Sequence, residues 1–524
     1  MAGPLQNPFM FKSAAAAGGF YSHQIANSVR NSAAQDGTLK WTAGTPTSSD
    51  IFTMSCWVKR YTTSTDQGAN NIFVCGTGGG TYFYYALGAT LQLEGVGGNW
   101  GSANYLITNA TYRDTSSWYH VVIRFDSTQG TGADRVRLYI NGVQVTSFSN
   151  TTMQSYTQNA DFSFINQSGI VQAFGGLSGK GHGTEGADLG MAEIVFIDGL
   201  SLAPTSFGES KNGVWIPADP SGLTFGNNGY YLKFEDSGDL GNDSSGNNND
   251  FTAANLATHD QMLDSPTFGS EGSANFATLN SNSQQGGSTI DRSADLSEGN
   301  LKQVLEAGES GPTGTMGFNS TGGGKWYWEV HVNTFQAGGI IGIVNELANI
   351  DAEIGYNSPS SPTGADALGY YFNTGNLYSG MGNDSSVSYG AQVSAGDVIG
   401  VAVDVDNGKI WFSENGTWQN SGDPAAGSAA ARGASGTITT AMDFSKTWFP
   451  CAGNWSGSDG AVTYNFGQEG TFGGTETAGG NADGNGYGNF FTAPPSGFLA
   501  MCAGNLSTAA DPAEDEGPSN YAQA

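Results

Sequence analysis

The stretch RLYINGVQVT, residues 137–146, favours one local structure over all others. Asn and Gly enter left-handed backbone space at low cost, and side by side they close a two-residue hairpin turn whose twist matches the strands it joins. A turn at Asn141-Gly142 sets Ile140 opposite Val143 and Leu138 opposite Val145 on one face. Tyr139 with Gln144, and Arg137 with Thr146, then share the other. A chain built around such units is antiparallel and β.

The same two-residue period recurs along the chain. In WYHVVIRFD (118–126), Tyr119, Val121, Ile123 and Phe125 share one face, and His120, Arg124 and Asp126 the other, which predicts a strand with one wet side. FTMSCWVKR (52–60), TYFYYALG (81–88) and MAEIVFIDGL (191–200) read as strands too. After a gap come KWYWEVHV (325–332), GIIGIV (339–344), ALGYYF (367–372), GDVIGVAVDVDNGKIWFSENG (396–416) and AVTYNFG (461–467). The closest approach to an amphipathic helix is LKQVLEAGE, 301–309. The 80 glycines and the low charged fraction of 12% suit short strands joined by tight turns, so the fold class is all-β.

At 524 residues the chain exceeds one ordinary core, at about 100 to 200 residues per domain. The pattern weakens between 209 and 271, where YYLKFE is the clear strand, and this stretch is expected to be a connector packed on both neighbours. The acidic, Ala- and Pro-rich end is expected to be disordered.

With 47 acidic against 18 basic residues the formal charge is -29, a field that repels phosphate backbones and anionic lipid surfaces, so nucleic acid is not an expected partner, and with no span of about 20 apolar residues no membrane insertion is expected. The N-terminus lacks a basic start followed by an apolar run of roughly 7 to 15 residues, so no secretory signal is expected. Cys56, Cys75, Cys451 and Cys502 have no Cys-x-x-Cys spacing and are expected to be buried free thiols.

An EF-hand loop starting at Asp404 fails at Gly408 and at Asn415. Asp404 and Asp406 lie near the about 5 to 9.5 Å range of paired glycosidase carboxylates. A turn at Asn407-Gly408, however, places Lys409 opposite Asp406 and Trp411 opposite Asp404, and a facing cation holds a carboxyl ionised and unfit as a general acid. There is no Glu-x-Asp-x-(x)-Glu run, no Gly-x-Ser-x-Gly elbow and no Walker phosphate loop, and the five histidines are scattered singly. No catalytic residue is assigned, and the chain is expected not to be an enzyme.

Two features point to binding. DSGDLGNDSSGNNND (236–250) offers Asp236, Asp239, Asp243 and Asp250 on a pliable Gly-rich loop. That is either a calcium site, calcium being the one cofactor the sequence suggests, or a turn-rich segment whose side chains bond their own backbone. Trp100 and Tyr105, in GVGGNWGSANYL, are candidates for stacking on a sugar ring or a protein partner.

FTMSCWVKR, WYHVVIRFD, DRVRLYINGVQV and GMAEIVFIDGLSL, in that order, resemble the laminin-G-like concanavalin A jelly roll. GKWYWEVHV, GIIGIV, LGYYF, GDVIGVAVDVDNGKIWFSENG, WFPCAG and AVTYNFG resemble a SPRY domain. The resemblance implies two antiparallel β-sandwiches in tandem. Its boundaries are an N-terminal docking arm at 1–22, the jelly roll at 23–208, the connector at 209–271, the SPRY-like sandwich at 272–500 and an acidic tail at 501–524. The tandem order, with VWIP, DSSGNNND and PPSGFLAMCAGNL, is similar to large virion proteins of tailed bacteriophages. That implies a tail fibre or appendage subunit, made in the host cytoplasm and carried on the virion. It would join other virion proteins through its arm, form a homo-oligomer with a trimer favoured, and expose lectin-like loops to a host-surface glycan or protein. The alternatives are a capsid or tail decoration or connector subunit with no receptor role, and a polysaccharide depolymerase.

Overall fold

The computed structural model describes residues 20–62, 70–76, 80–85, 89–97, 104–176, 187–269, 272–283, 295–307, 309–348, 367–379, 386–439, 442–455 and 457–506. The chain divides into two compact units at the 270/271 boundary. Every strand pair among the described residues is antiparallel except one, Leu499–Ala500 beside Lys325–Thr334.

The first unit packs two eight-stranded sheets face to face. One runs in the order Val143–Gln144, Val136–Ile140, Trp118–Asp126, Ile51–Arg60, Leu189–Asp198, Ser28–Asn31, Gln261–Met262, with Tyr230–Leu232 also on Leu189–Asp198. The other runs Phe148–Asn150, Asn104–Thr111, Thr90–Val96, Gly80–Tyr85, Asn70–Gly76, Val171–Phe174, Thr38–Thr42, Thr252–Ala254. Alternation along Ile51–Arg60 sends Phe52, Met54, Cys56 and Val58 inward to meet Phe73, Phe83, Leu91 and Leu93 from the facing sheet. Cys56 and Cys75 are free and buried, one on each sheet, and burial pushes both thiols up to about 12. The expected hairpin is present: Val143 pairs with Ile140, Gln144 with Tyr139, and Asn141 and Gly142 take φ of 48° and 77°.

Two expectations are corrected here. The stretch 209–271 is not a connector, because it contributes Tyr230–Leu232, Thr252–Ala254 and Gln261–Met262 to the two sheets. The outer side of Trp118–Asp126 is not wet, since His120 and Val122 are both 0% exposed. The two facts have one cause. Val122, Tyr139, Val195, Ile197 and, on the added strand, Tyr231 make that outer face apolar, and Phe207 and Phe225 cover it. Trp215 packs beside Trp57 and Trp118. Each such side chain gains about 1.5 to 3 kcal/mol by leaving water, which fastens an irregular segment to the sheet without a regular ladder.

The second unit also has two sheets. One runs Leu296–Ser297, Lys302–Leu305, Gly460–Asn465, Lys325–Thr334, Val398–Asp404, Lys409–Glu414, Thr417–Trp418, and the other Glu309–Ser310, Trp448–Asn454, Gly339–Asn345, Ala367–Tyr371, Asn376–Ser379, Val387–Ser388. Tyr370 stacks on Phe412 across the core, with ring centres 5.4 Å apart. The helix-like LKQVLEAGE contains a strand, Lys302–Leu305. Residues 501–506 are not tail: Met501, Cys502, Ala503 and Asn505 are buried, and Cys502 bridges to Phe276. The remainder of the tail and residues 1–19 lie outside the described residues. Residues 20–22 pack on the first unit, with Tyr21 edge-on to Phe268 at 5.0 Å and Ser22 bonded to Glu209 at 2.5 Å.

The register around Asn407 differs from expectation. Asp404 pairs with Lys409, and Ala402 with Trp411, so neither predicted cross-strand pair forms. Within the turn Gly408 has a φ of 65° and Asn407 has no positive φ, which excludes the two-residue turn. Asp404 instead caps a longer turn, accepting from the Asn407 backbone at 3.0 Å and from its side-chain amide at 2.9 Å.

Candidate functional site

On its face turned away from the main core, the second sheet of the first unit carries a second, largely buried cluster of aromatic and polar side chains, in which Tyr82, Tyr84 and Glu94 are 7%, 5% and 2% exposed. Alternation sends Phe83, Tyr85, Leu91, Leu93 and Leu106 inward, leaving Tyr82, Tyr84, Gln92, Glu94, Tyr105 and Ile107 on the other face. Register then lines them up: Tyr82, Glu94 and Tyr105 form one row across three strands, and Tyr84, Gln92 and Ile107 the next. Strands lie about 4.8 Å apart, so neighbours in a row touch.

The hydroxyl of Tyr84 lies 3.0 Å from Glu94 Oε2 and 3.2 Å from Gln92 Oε1. Its single proton goes to the charged acceptor. Tyr105, half-buried, also hydrogen-bonds Glu94. Burial, followed by the Glu94 charge, holds both phenols above their ordinary range, so they remain O–H donors. Val74 and Val96 pack beside Tyr82 and Tyr84. The strand edge is pinned where the Tyr105 backbone N–H donates to Thr152 Oγ1 at 2.8 Å. Tyrosine rings beside a fixed carboxylate and an amide combine an apolar surface with oriented hydrogen-bond partners, and the half-buried Gln92, Tyr105 and Ile107 are the members nearest solvent.

Of the two aromatic candidates, Tyr105 belongs to this platform and Trp100 lies outside the described residues. Glu94, Tyr84 and Gln92 were missed from sequence. The alternation in TYFYYALG and in the following TLQLEGV carried the signal, because residues two apart on neighbouring strands share a face.

The four acidic-loop candidates play different parts. Asp243 is buried, and its oxygens accept from the backbone N–H groups of Tyr231 (2.8 Å), Ser245 (2.8 Å) and Asn249 (2.9 Å) and from the Ser245 hydroxyl (2.8 Å). Asp250 accepts from the Asp243 backbone at 2.9 Å, and Asp236 from that of Gly238 at 2.8 Å. Asp239 and Asp250 line an open groove of about 670 Å³ together with Phe251 and Leu256. Among the described residues no three His, Cys, Asp or Glu side chains are placed to share a metal ion. Asp236, Asp243 and Asp250 thus fasten backbone N–H groups of the loop and of the adjoining strand.

A Ser–His pair lies beneath Trp215. Ser55 Oγ is 2.8 Å from His120 Nε2, and the Trp215 indole N–H donates to His120 Nδ1 at 2.9 Å. An indole only donates, so Nδ1 must accept, and the proton sits on Nε2 facing Ser55. A histidine in that tautomer cannot take the serine's proton. Burial depresses its pKa to about 3, and the rings of Trp57 and Trp215 stack over it at 4.7 and 5.9 Å.

In the second unit Asp404 is 1% exposed and paired with Lys325 at 3.2 Å, while exposed Asp406 accepts from the Gly324 backbone at 3.1 Å. Glu329 is fully buried and gathers four donors: the Tyr327 hydroxyl (2.9 Å), Asn465 Nδ2 (3.2 Å) and the backbone N–H groups of Phe491 (2.9 Å) and Thr492 (2.7 Å). Burial still pushes its carboxyl up to about 7. These carboxylates join strands to loops.

The model for the concanavalin A-like lectin/glucanases superfamily matches residues 33–178, and that for the SPRY domain matches residues 325–451. No curated protein matches the chain. Among solved structures, a human SPRY domain is 17% identical over 30% of this chain and 86% of its own, with a TM-score of 0.21. The SPRY domain of human HERC1 is 16% identical over 31% and 87%, with a TM-score of 0.23. A heptameric SAP-like pentraxin from Limulus polyphemus is 17% identical over 35% and 76%, with a TM-score of 0.23. The chain thus carries a concanavalin A-like domain followed in tandem by a SPRY domain.

Proposed function

We propose that this chain is a non-catalytic recognition subunit of a tailed-bacteriophage particle, of the tail-fibre or appendage type, and that its first domain binds a host-surface glycan. The observation that carries the binding role is the platform of Tyr82, Tyr84, Gln92, Glu94 and Tyr105 on one sheet face. The virion role draws on the tandem order of the two domains together with the VWIP, DSSGNNND and PPSGFLAMCAGNL segments, which resemble phage particle proteins. A binding role also fits the tautomer of His120 and the occupied carboxylates Asp404 and Glu329, none of which is poised for proton transfer.

The test is a glycan array and a host-cell attachment assay with the full chain. Wild type is expected to bind, and Tyr105→Ala or Glu94→Gln to lose about tenfold or more, as for a central contact. Absence of attachment by folded wild type refutes the reading, and release of reducing sugar from host capsule replaces it with a depolymerase.

A second reading, a decoration or connector subunit, draws on the SPRY domain. There Trp455 is 37% exposed, lying 6.0 Å from Tyr371, and Leu347 is 46% exposed, apolar surface that suits a protein neighbour. It predicts that particles assembled with Tyr105→Ala adsorb to host cells as wild type does.

A further inference from the structure

The inward row of the strand Ile51–Arg60 is Phe52, Met54, Cys56 and Val58, and the next position on that face is Arg60. A guanidinium therefore ends a row of core side chains, and the residue is 1% exposed. One terminal nitrogen donates to the Tyr112 carbonyl at 2.7 Å. The guanidinium carbon lies 4.4 Å from the centre of the Tyr85 ring. Nε has no partner, and the hydroxyl of Tyr85, another residue 1% exposed, has none either. Tyr112 sits edge-on to Tyr119 at 5.6 Å and to Tyr85 at 6.4 Å, so the ring that the cation meets belongs to a cluster of three phenols.

Two other fully buried cations in this domain each have a carboxylate: Arg30 pairs with Asp260 at 3.0 Å and Lys59 with Asp264 at 2.9 Å. Among the described residues Arg60 has none. The titratable groups whose charge reaches it are Tyr85 and Tyr119, and burial pushes the guanidinium below its ordinary value. Arginine nonetheless stays protonated in proteins, so it cannot shed the charge as a buried lysine does. A chain with a net charge of -29 has acids in plenty, yet none of the described ones pairs with this cation.

A water would satisfy Nε–H and leave the charge uncompensated. A carboxylate does both, because its planar pair of oxygens matches a guanidinium edge and also accepts from a phenol. We propose that the buried pair of Arg60 and Tyr85 forms a binding site for a small carboxylate, held by the unpaired Nε–H and the Tyr85 hydroxyl. The carboxylate is either a free short-chain acid or the uronate of an acidic sugar. The site lies between the sheets, whereas the Glu94 platform lies on the outer face of one of them, so the two stand or fall separately.

The test is saturation-transfer NMR on the full chain at constant ionic strength, with acetate as probe, acetamide as its neutral isostere and glucuronate as competitor. Saturable acetate binding that acetamide does not share is expected, weakened about tenfold or more in Arg60→Met and measurably in Tyr85→Phe. Displacement of acetate by glucuronate identifies an acidic sugar as the source; failure to displace leaves the free acid. If Arg60→Met does not fold, the acetate–acetamide contrast and Tyr85→Phe decide. Equal, non-saturating signals from acetate and acetamide, or acetate binding undiminished in the variants, overturn the proposal and leave a hydrated guanidinium.

Discussion

His120 makes the stability of the first domain depend on acid in a calculable way. The folded imidazole is enclosed by Ser55, Trp57 and Trp215, and its pKa is about 3 against an ordinary 6.5. An unfolded chain takes a proton near pH 6.5 that the folded chain refuses. The contribution of neutral His120 is therefore complete above pH 6.5, declines as pH falls, and is lost toward the folded value of about 3. One group contributes about 1.4 kcal/mol per pH unit across that window, so moving from pH 6.5 to 5.0 costs about 2 kcal/mol. A domain of this size loses about 2 to 4 °C of Tm per kcal/mol, which gives a fall of about 4 to 8 °C. Calorimetry of wild type and His120→Gln from pH 7.5 to 4.5 isolates this share. Glutamine keeps an acceptor for the Trp215 indole and does not titrate, while His23, raised beside Glu193, is common to both proteins and cancels. The gap between the two Tm curves should narrow or reverse toward low pH. Parallel curves would refute the account of His120 as a buried neutral acceptor.

Three further outcomes are expected. Because burial holds the Glu329 carboxyl up at about 7, the folded SPRY domain keeps a proton that the unfolded chain releases above its ordinary 4.5. Its stability should fall by up to about 3 kcal/mol as pH rises from 4.5 to 7, and Glu329→Gln should flatten that slope in a melt followed by tryptophan fluorescence. Asp404→Ala, which strands two Asn407 donors and Lys325, should cost about 2 to 4 kcal/mol in urea unfolding, while Asp406→Ala at the exposed turn should cost about 1 or less. Asp243→Ala should lower the Tm of the first domain because four donors lose their acceptor, whereas EDTA should leave wild type unchanged; a Tm drop with EDTA, restored by calcium, would show that the loop holds a metal after all.

The hairpin at Asn141-Gly142 was legible because its register depends on residues within the hairpin itself. The turn after Asp404 was not, although it contains the same dipeptide. There the Asp404 side chain bonds Asn407 and draws the chain into a longer turn, a local competition that hydrophobic alternation does not reveal. The part played by residues 209–270 was hidden for a different reason. Trp215 and Phe225 lie in turn-rich sequence, and what fixes them is apolar sheet surface elsewhere in the chain, Trp57 and Trp118 for Trp215 and Val122, Val195 and Ile197 for Phe225. Tyr84 and Glu94 likewise meet Tyr105 only through strand pairing, so one member of the platform was read and its partners were not. Arg60 is the last residue of the strand FTMSCWVKR, and only the facing sheet, with Tyr85, shows that it lies within the sandwich.

The most direct test of glycan recognition by the first domain is hydrogen–deuterium exchange of the full chain with and without purified host-surface polysaccharide. Protection is expected in Gly80–Tyr85, Thr90–Val96 and Asn104–Thr111, the strands that carry the platform, and should vanish in Tyr105→Ala. Protection confined to the SPRY domain, or none at saturating polysaccharide, would contradict it.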